Sequence, residues 1–268
     1  MKTRIVSGII GAAMLVAILL SDKIILNIGV AIVSFLALLE MCDAVGLAKS
    51  LPLKLLGLVA AFSFTFAYSF DKTLLVSIIF FYSMALFVLY MRKNSSIGLQ
   101  DISKMFFLTV IICFFLVHIV FIRRLPFGKY LVWTVFIGAF LTDTFAYLSG
   151  RFFGKRKMLP HISPKKTIEG SIGGFVGSCV GMLVYGFLVQ FFSRYNVNYL
   201  NVLGLGLICS AVAQFGDFAA SRIKREYGIK DYGNIMPGHG GVMDRFDSVI
   251  FTAPAVYLFV SNVALFTI

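Results

Sequence analysis

The stretch SIGGFVGSCVGMLVYGFLVQFF, residues 171–192, decides the fold class, because it runs for 22 residues without a single Asp, Glu, Lys or Arg. A helix rises about 1.5 Å per residue, so a run of this length crosses a hydrocarbon core of about 30 Å. Its glycines at 173, 177 and 181 recur every four residues and form a small-residue face on which another helix can pack closely. Working outward, eight further apolar runs occupy residues 5–20, 24–39, 55–70, 73–91, 105–122, 131–149, 200–220 and 248–268. The expectation is an all-α polytopic membrane protein with about nine transmembrane helices.

Composition agrees. The chain has 268 residues, of which 59% are hydrophobic and 13% charged, with a mean hydropathy of +0.93. Soluble domains carry about 25% charged residues, so no water-facing shell can be built from this material. With no linker or low-complexity segment, residues 1–268 read as one integral membrane domain. Residues 1–130 supply lipid-embedded helices, and residues 131–268 form a catalytic half with cytoplasmic loops at 150–170 and 222–247. The first run follows Lys2 and Arg4, and no small-residue cleavage site precedes Ser21-Asp22-Lys23, so it reads as a retained helix rather than a signal peptide. Eighteen of the 24 Lys and Arg residues fall in alternate loops, counted with the N-terminus, which predicts a cytoplasmic N-terminus and an external C-terminus. The net charge of +12 therefore reflects topology and phosphate-bearing lipid rather than nucleic acid. Cys42, Cys113, Cys179 and Cys209 stand singly in or beside apolar runs and read as packing residues. No P-loop motif is present, and Gly204-Leu205-Gly206 lacks both the strand and the third glycine of a dinucleotide fingerprint.

Two carboxylates lie well inside the predicted spans: Asp143 in the sixth run and Asp217 in the eighth. A charge at such depth costs about 2.5–3.5 kcal/mol on insertion scales and normally faces a cavity or a partner. Counted from the nearest cytoplasmic arginine, Asp217 is about 7 Å deep and Asp143 about 12 Å. They either line one water-filled pocket open to the cytosol or are packing carboxylates paired with loop lysines.

The segment that follows, residues 221–247, reads SRIKREYGIKDYGNIMPGHGGVMDRFD. Gly238, Gly240 and Gly241 flank His239, and a glycine-dense turn can present successive backbone N–H groups as an anion-binding nest. Lys224, Arg225, Lys230 and Arg245 supply cations suited to phosphate. Asp244 and Asp247, three apart, offer the hard oxygens that Mg²⁺ prefers. The same pair could instead open the last helix, with Asp244 as N-cap and Asp247 at N3.

Taken whole, this segment resembles the signature of the phosphatidate cytidylyltransferases (CDP-diglyceride synthases). The pattern Ser-x-apolar-Lys-Arg, then Lys-Asp, then Pro-x-His-Gly-Gly-apolar-x-Asp-Arg-x-Asp is met by Ser221, Ile223, Lys224, Arg225, Lys230, Asp231, Pro237, His239, Gly240, Gly241, Val242, Asp244, Arg245 and Asp247. The resemblance extends to Gln214-Phe-Gly-Asp217, to Asp143 with Ala146-Tyr147 and Gly150, and to the Ser163-Pro-Lys-Lys-Thr-Ile-Glu-Gly170 loop. The first half of the chain matches only as hydrophobic helices.

The resemblance implies a multi-pass enzyme that joins CTP and phosphatidic acid to give CDP-diacylglycerol and pyrophosphate with Mg²⁺, a second divalent or monovalent cation being compatible. Asp217 and Asp244 would be the metal ligands, and Asp143 and Asp247 further ligands or orienting partners. Lys165 and Lys166 would grip phosphate, while Lys224, Arg225, Lys230 and Arg245 would hold the triphosphate with Gly240, Gly241 and His239. Arg151 and Lys155 to Lys157 read as an anchor on anionic headgroups. The expected setting is the bacterial inner membrane with the site facing the cytoplasm, among membrane lipids, with a homodimer allowed. Two alternatives stay open. One is a CTP-dependent kinase or cytidylyltransferase acting on another membrane lipid; the other is a secondary transporter, which leaves the Gly-His-Gly-Gly loop without a purpose.

Overall fold

In the computed structural model, which describes residues 2–47, 50–67, 72–93, 96–238 and 240–268, the run at 171–192 lies inside one helix, α8 (Ile168–Ser193). One face of α8 exposes Ile172, Val176, Val180, Val184, Phe187 and Phe191, an apolar stripe at helical spacing that water would not tolerate and lipid does. The adjoining face carries Gly173, Gly177 and Gly181. A Cβ at these positions would overlap Ser149, Phe145 and Leu141 of helix α7 (Gly128–Phe153), so the small-residue stripe is the packing seam.

Among the described residues, six helical stretches are long and apolar enough to cross a membrane: Lys23–Ala44, Thr73–Met91, Leu99–Arg124, Gly128–Phe153, Ile168–Ser193 and Tyr199–Glu226. Two more apolar helices, Val6–Leu20 and Leu51–Phe66, are shorter. The chain is an all-α integral membrane protein. Lys49, the end of the third apolar run at 68–70 and His239 lie outside the described residues.

Two compact units divide the chain. The first contains residues 1–120 and 227–245. Its helices are α1 (Lys2–Leu20), α2 (Lys23–Ala44), α3 (Leu51–Ala67), α4 (Lys72–Met91) and α5 (Leu99–Thr109). A π-helical turn, Val110–Phe114, then leads towards α6 (His118–Arg124). Helix α3 packs against α2, α4 and α5. The interior is built from Leu26, Leu38, Met41, Leu53, Phe64, Met105 and Ile112. The buried Tyr82 hydroxyl is paired with Thr109 Oγ1 at 2.7 Å.

The second unit contains residues 121–226 and 246–268. Helices α7 and α8 and the long α9 (Tyr199–Glu226) pack pairwise on one another, and α10 (Met243–Asn262) touches α9 through Phe251 on Phe215 and α7 through Ser248 on Asp143. Small residues again set the distance: Ser178 Oγ donates to Gly206 O at 2.9 Å, and a Cβ on Gly206 would lie 3.0 Å from Cys179 Cα. Away from these helices' polar ends, β1 (Asn196–Val197) pairs antiparallel with β2 (Phe266–Thr267) and clips the α8–α9 turn to the last residues. All four cysteines are buried and free, as packing residues should be.

Both α7 and α9 run beyond the apolar runs that nucleate them, to Phe153 and Glu226. Arg151, Lys224 and Arg225 therefore sit on last helical turns, where cations complement the helix dipole. The connections are residues 154–167 and 227–242, shorter than the polar segments in the sequence suggest.

Candidate active site

A cavity of about 430 Å³ opens in the second unit between the ends of α7, α8 and α9. Asp143, Tyr147 and Arg151 line it from α7, Ser163, Lys165 and Lys166 from the 154–167 connection, and Gln214, Asp217 and Phe218 from α9. Close backbone approach makes room for it: a Cβ on Gly170 would lie 2.7 Å from Ala146 O and 3.1 Å from Gly150 Cα. The connection is pinned at both ends. Thr167 caps α8, its Oγ1 accepting from Gly170 N at 3.1 Å, and the Glu169 carboxylate accepts from Lys155 N at 3.0 Å and Arg156 N at 3.2 Å. From α9, Arg225 Nε donates to Ile162 O at 3.3 Å. These ties deliver Lys166, whose ammonium pairs with the Asp217 carboxylate and lies 4.1 Å from the Phe218 ring centroid.

Three carboxylates meet in this unit. Asp143 accepts from Ser248 Oγ at 3.0 Å, Asp217 from Ser221 Oγ at 3.3 Å, and Asp247 from Ser248 N at 2.8 Å. Burial, then the charges of Asp217 and Asp143, raises the Asp247 carboxyl to about 7, against Lys224 and the Ser248 N–H, which pull it down. A divalent cation would relieve that repulsion, and the donors are the hard oxygens Mg²⁺ takes. No group of three His, Cys, Asp or Glu side chains among the described residues could by itself hold a metal.

The 227–245 segment, in the first unit, surrounds a more polar hollow of about 630 Å³ lined by Lys230, Asp231, Asn234, Gly238, Gly240 and Arg245. Met236 N donates to Gly240 O at 3.0 Å, and Gly238 (φ 78°) and Gly240 (φ 81°) take the left-handed conformation this tight turn needs. The backbone amides beyond it are not open to an external anion. Gly241 N and Tyr232 N donate to Asp244 Oδ2 at 3.0 and 2.8 Å, and Val242 N and Met243 N donate to the Glu40 carboxylate at 3.0 and 2.8 Å. Of the glycines expected to form a nest, Gly241 has its amide taken from within the segment. Asp244 is thus not the N-cap of α10, because the amides at that helix start are taken by a side chain of α2.

The structure gathers Asp143, Lys165, Lys166 and Asp217 around one cavity, with Asp247 in electrostatic contact with both aspartates and with Lys224. Lys230, Gly240 and Arg245 line the other hollow, beside Gly241 and Asp244. Arg151, read as a headgroup anchor, lines the first cavity instead. His239 lies outside the described residues. Glu40 lies one residue past the apolar run at 24–39, whereas α2 continues to Ala44 and buries it. The available signal was an acid at the very edge of a predicted span.

Residues 2–263 match the model of the family described as "Cytidylyltransferase family". The chain is similar to the phosphatidate cytidylyltransferase of Bacillus subtilis (strain 168), 31% identical over 264 residues and 96% of each chain. It is 46% identical over 127 residues to the enzymes of that name from Staphylococcus aureus (strain COL) and Staphylococcus haemolyticus (strain JCSC1435), spanning about half their length, with 47% of each chain covered.

Proposed function

The chain belongs to the cytidylyltransferase family, and on that footing we propose that it transfers CMP from CTP to phosphatidic acid, forming CDP-diacylglycerol and pyrophosphate. The observation that carries the reading is the cavity in which Lys165 and Lys166 face Asp143 and Asp217 at the polar ends of membrane helices. The phosphate oxygen of phosphatidic acid attacks the α-phosphorus of CTP, a new P–O bond forms, the bond to the β-phosphate's bridging oxygen breaks, and pyrophosphate departs. The attacking oxygen is already anionic, so the demand on the protein is charge neutralisation and in-line placement rather than a strong base.

Lys165 and Lys166 bind and orient phosphate from one wall, and Lys224 and Arg225 add positive charge at the end of α9. Lys230 and Arg245, with Gly240, Gly241 and His239, are assigned to the triphosphate by their place in the signature. Asp217 and Asp244 are the carboxylates assigned to Mg²⁺, with Asp143 and Asp247 as supporting acids. When bound, the ion supplies charge stabilisation on the phosphate oxygens and a template for the leaving group.

All nine apolar segments are read as spans with a cytoplasmic N-terminus, supported by the placement of 18 of the 24 basic residues. The site then faces the cytoplasm from a bacterial inner membrane. Detergent-purified protein incubated with CTP and phosphatidic acid, with and without Mg²⁺, tests the reading. Magnesium-dependent release of pyrophosphate with formation of CDP-lipid is expected. Release of CDP instead would mean a lipid kinase, and no nucleotide turnover with any phospholipid would return the transporter.

A further inference from the structure

Glu40 stands 202 residues before Val242 in the chain, yet its two carboxylate oxygens accept separately from Val242 N at 3.0 Å and Met243 N at 2.8 Å. The carboxylate is buried and its surroundings are shaped to it. A Cβ on either Gly233 or Gly241 would overlap the side chain, so glycines on both arms of the segment make room for this one acid. A buried acid near the end of a span-length helix is costly unless partnered, and its partners are the amides at the start of α10, where a negative charge is favourable. One residue further along the chain, Asp244 is held by Gly241 N and Tyr232 N, so the two acids together occupy three consecutive amides, 241 to 243.

From this geometry we infer that Glu40 is a positioning residue: a charged cap, supplied by α2, that fixes the 231–245 segment and with it the placement of Asp244 and Arg245. Its packing could be matched by any side chain of equal size. Its hydrogen bonding could not, because two amides require two acceptor oxygens and glutamine offers one, turning an N–H₂ donor toward the other amide. The effect on turnover rests on the proposed CMP transfer; the effect on the backbone does not.

The test compares wild type with Glu40→Gln, Glu40→Asp and Gly233→Ala in the full-length protein in detergent. Amide hydrogen exchange is read on peptides covering residues 240–245 and, as an internal control, on α8. Glu40→Gln is expected to speed exchange at 240–245 by about ten-fold or more while leaving α8 unchanged, as a local opening does. Gly233→Ala, which presses on the same carboxylate from the other side, is expected to reproduce that pattern. Glu40→Asp, which keeps both oxygens on a shorter stem, is expected to recover part of the protection. In the turnover assay, Glu40→Gln should lower kcat by about ten-fold or more with KM for phosphatidic acid within about two-fold, the mark of a misplaced group rather than a lost binding contact. Wild-type protection at 240–245 in either Glu40→Gln or Gly233→Ala overturns the inference. An inactive wild type overturns the proposed reaction instead, and the exchange arm still decides the cap.

Discussion

Lys166 Nζ is paired with the Asp217 carboxylate and rests 4.1 Å from the centroid of the Phe218 ring, one residue along α9. The lysine comes from a connection and the aspartate from within a membrane helix, so the pair joins the tethered 154–167 connection of the second unit to a carboxylate of α9. Without substrate the two neutralise each other. A phosphate entering the cavity would compete for the ammonium, and a cation would compete for the carboxylate, so one pair holds both groups ready and in place.

Replacing either partner should therefore remove turnover more than it removes structure. Lys166→Ala and Asp217→Asn are each expected to lower kcat for pyrophosphate release by about 10²–10³-fold, the scale seen when a group stabilising transition-state charge is lost. Membrane insertion and yield should match wild type. Full activity in both Lys165→Ala and Lys166→Ala would sink the assignment of this loop to phosphate.

The buried acid at the start of α10 predicts a pH effect of definite sign. Asp247 is held up to about 7, first by burial and then by Asp217 and Asp143. A carboxyl with a higher pKa folded than unfolded binds more protons in the folded state between about 4 and about 7, so stability falls as pH rises through that window and levels off above it. The thermal midpoint of protein stripped of divalent cations should fall accordingly, and Asp247→Asn should flatten the slope. A rising midpoint over that range, or an unchanged slope in the variant, contradicts this electrostatic account.

The α7–α8 seam predicts a packing cost. A Cβ on Gly177 would overlap the Phe145 ring, so Gly177→Ala must push α7 and α8 apart or force Phe145 from its rotamer. Such overpacking costs about 1–3 kcal/mol, visible as a lower midpoint in a thermal melt in detergent. Gly11, which has open space around it, is the control at which alanine should be neutral or better.

Glu169 predicts a change in protease sensitivity. Its carboxylate holds the amides of Lys155 and Arg156, so Glu169→Ala frees a segment that offers trypsin Lys155, Arg156 and Lys157 in succession. Limited proteolysis should cut there several times faster than in wild type, since exposed, untied backbone is the preferred substrate. Equal cleavage rates would show that Thr167 and Arg225 suffice to hold the connection.

Much of this was legible in the sequence because membrane insertion and phosphate chemistry both leave one-dimensional traces. Among the described residues the apolar runs fall mostly on helix, since a segment in lipid must satisfy its backbone internally, but the fifth is interrupted by the π-helical turn Val110–Phe114 and the last leaves its helix after Asn262 to end in β2. The glycines at 173, 177 and 181 face a neighbouring helix because four-residue spacing holds them on one side. Asp143, Lys166 and Asp217 share a cavity, as intramembrane acids beside basic loops suggest. Helix ends were less legible. Hydropathy stops where lipid stops, whereas α7 and α9 continue for as long as hydrogen bonding and dipole-matched arginines and lysines support them.

By itself the sequence determined the helical membrane architecture, the residue types of the phosphate-handling segments and the family. Which partner each acid takes was decided only by tertiary structure. Asp217 pairs with Lys166 across 51 positions, Asp143 with Ser248 across 105, and Glu40 with Val242 across 202. The reason is physical: hydropathy and motif spacing are properties of neighbours along the chain, while the energy of a buried charge depends on groups brought to it by packing, which no local pattern encodes.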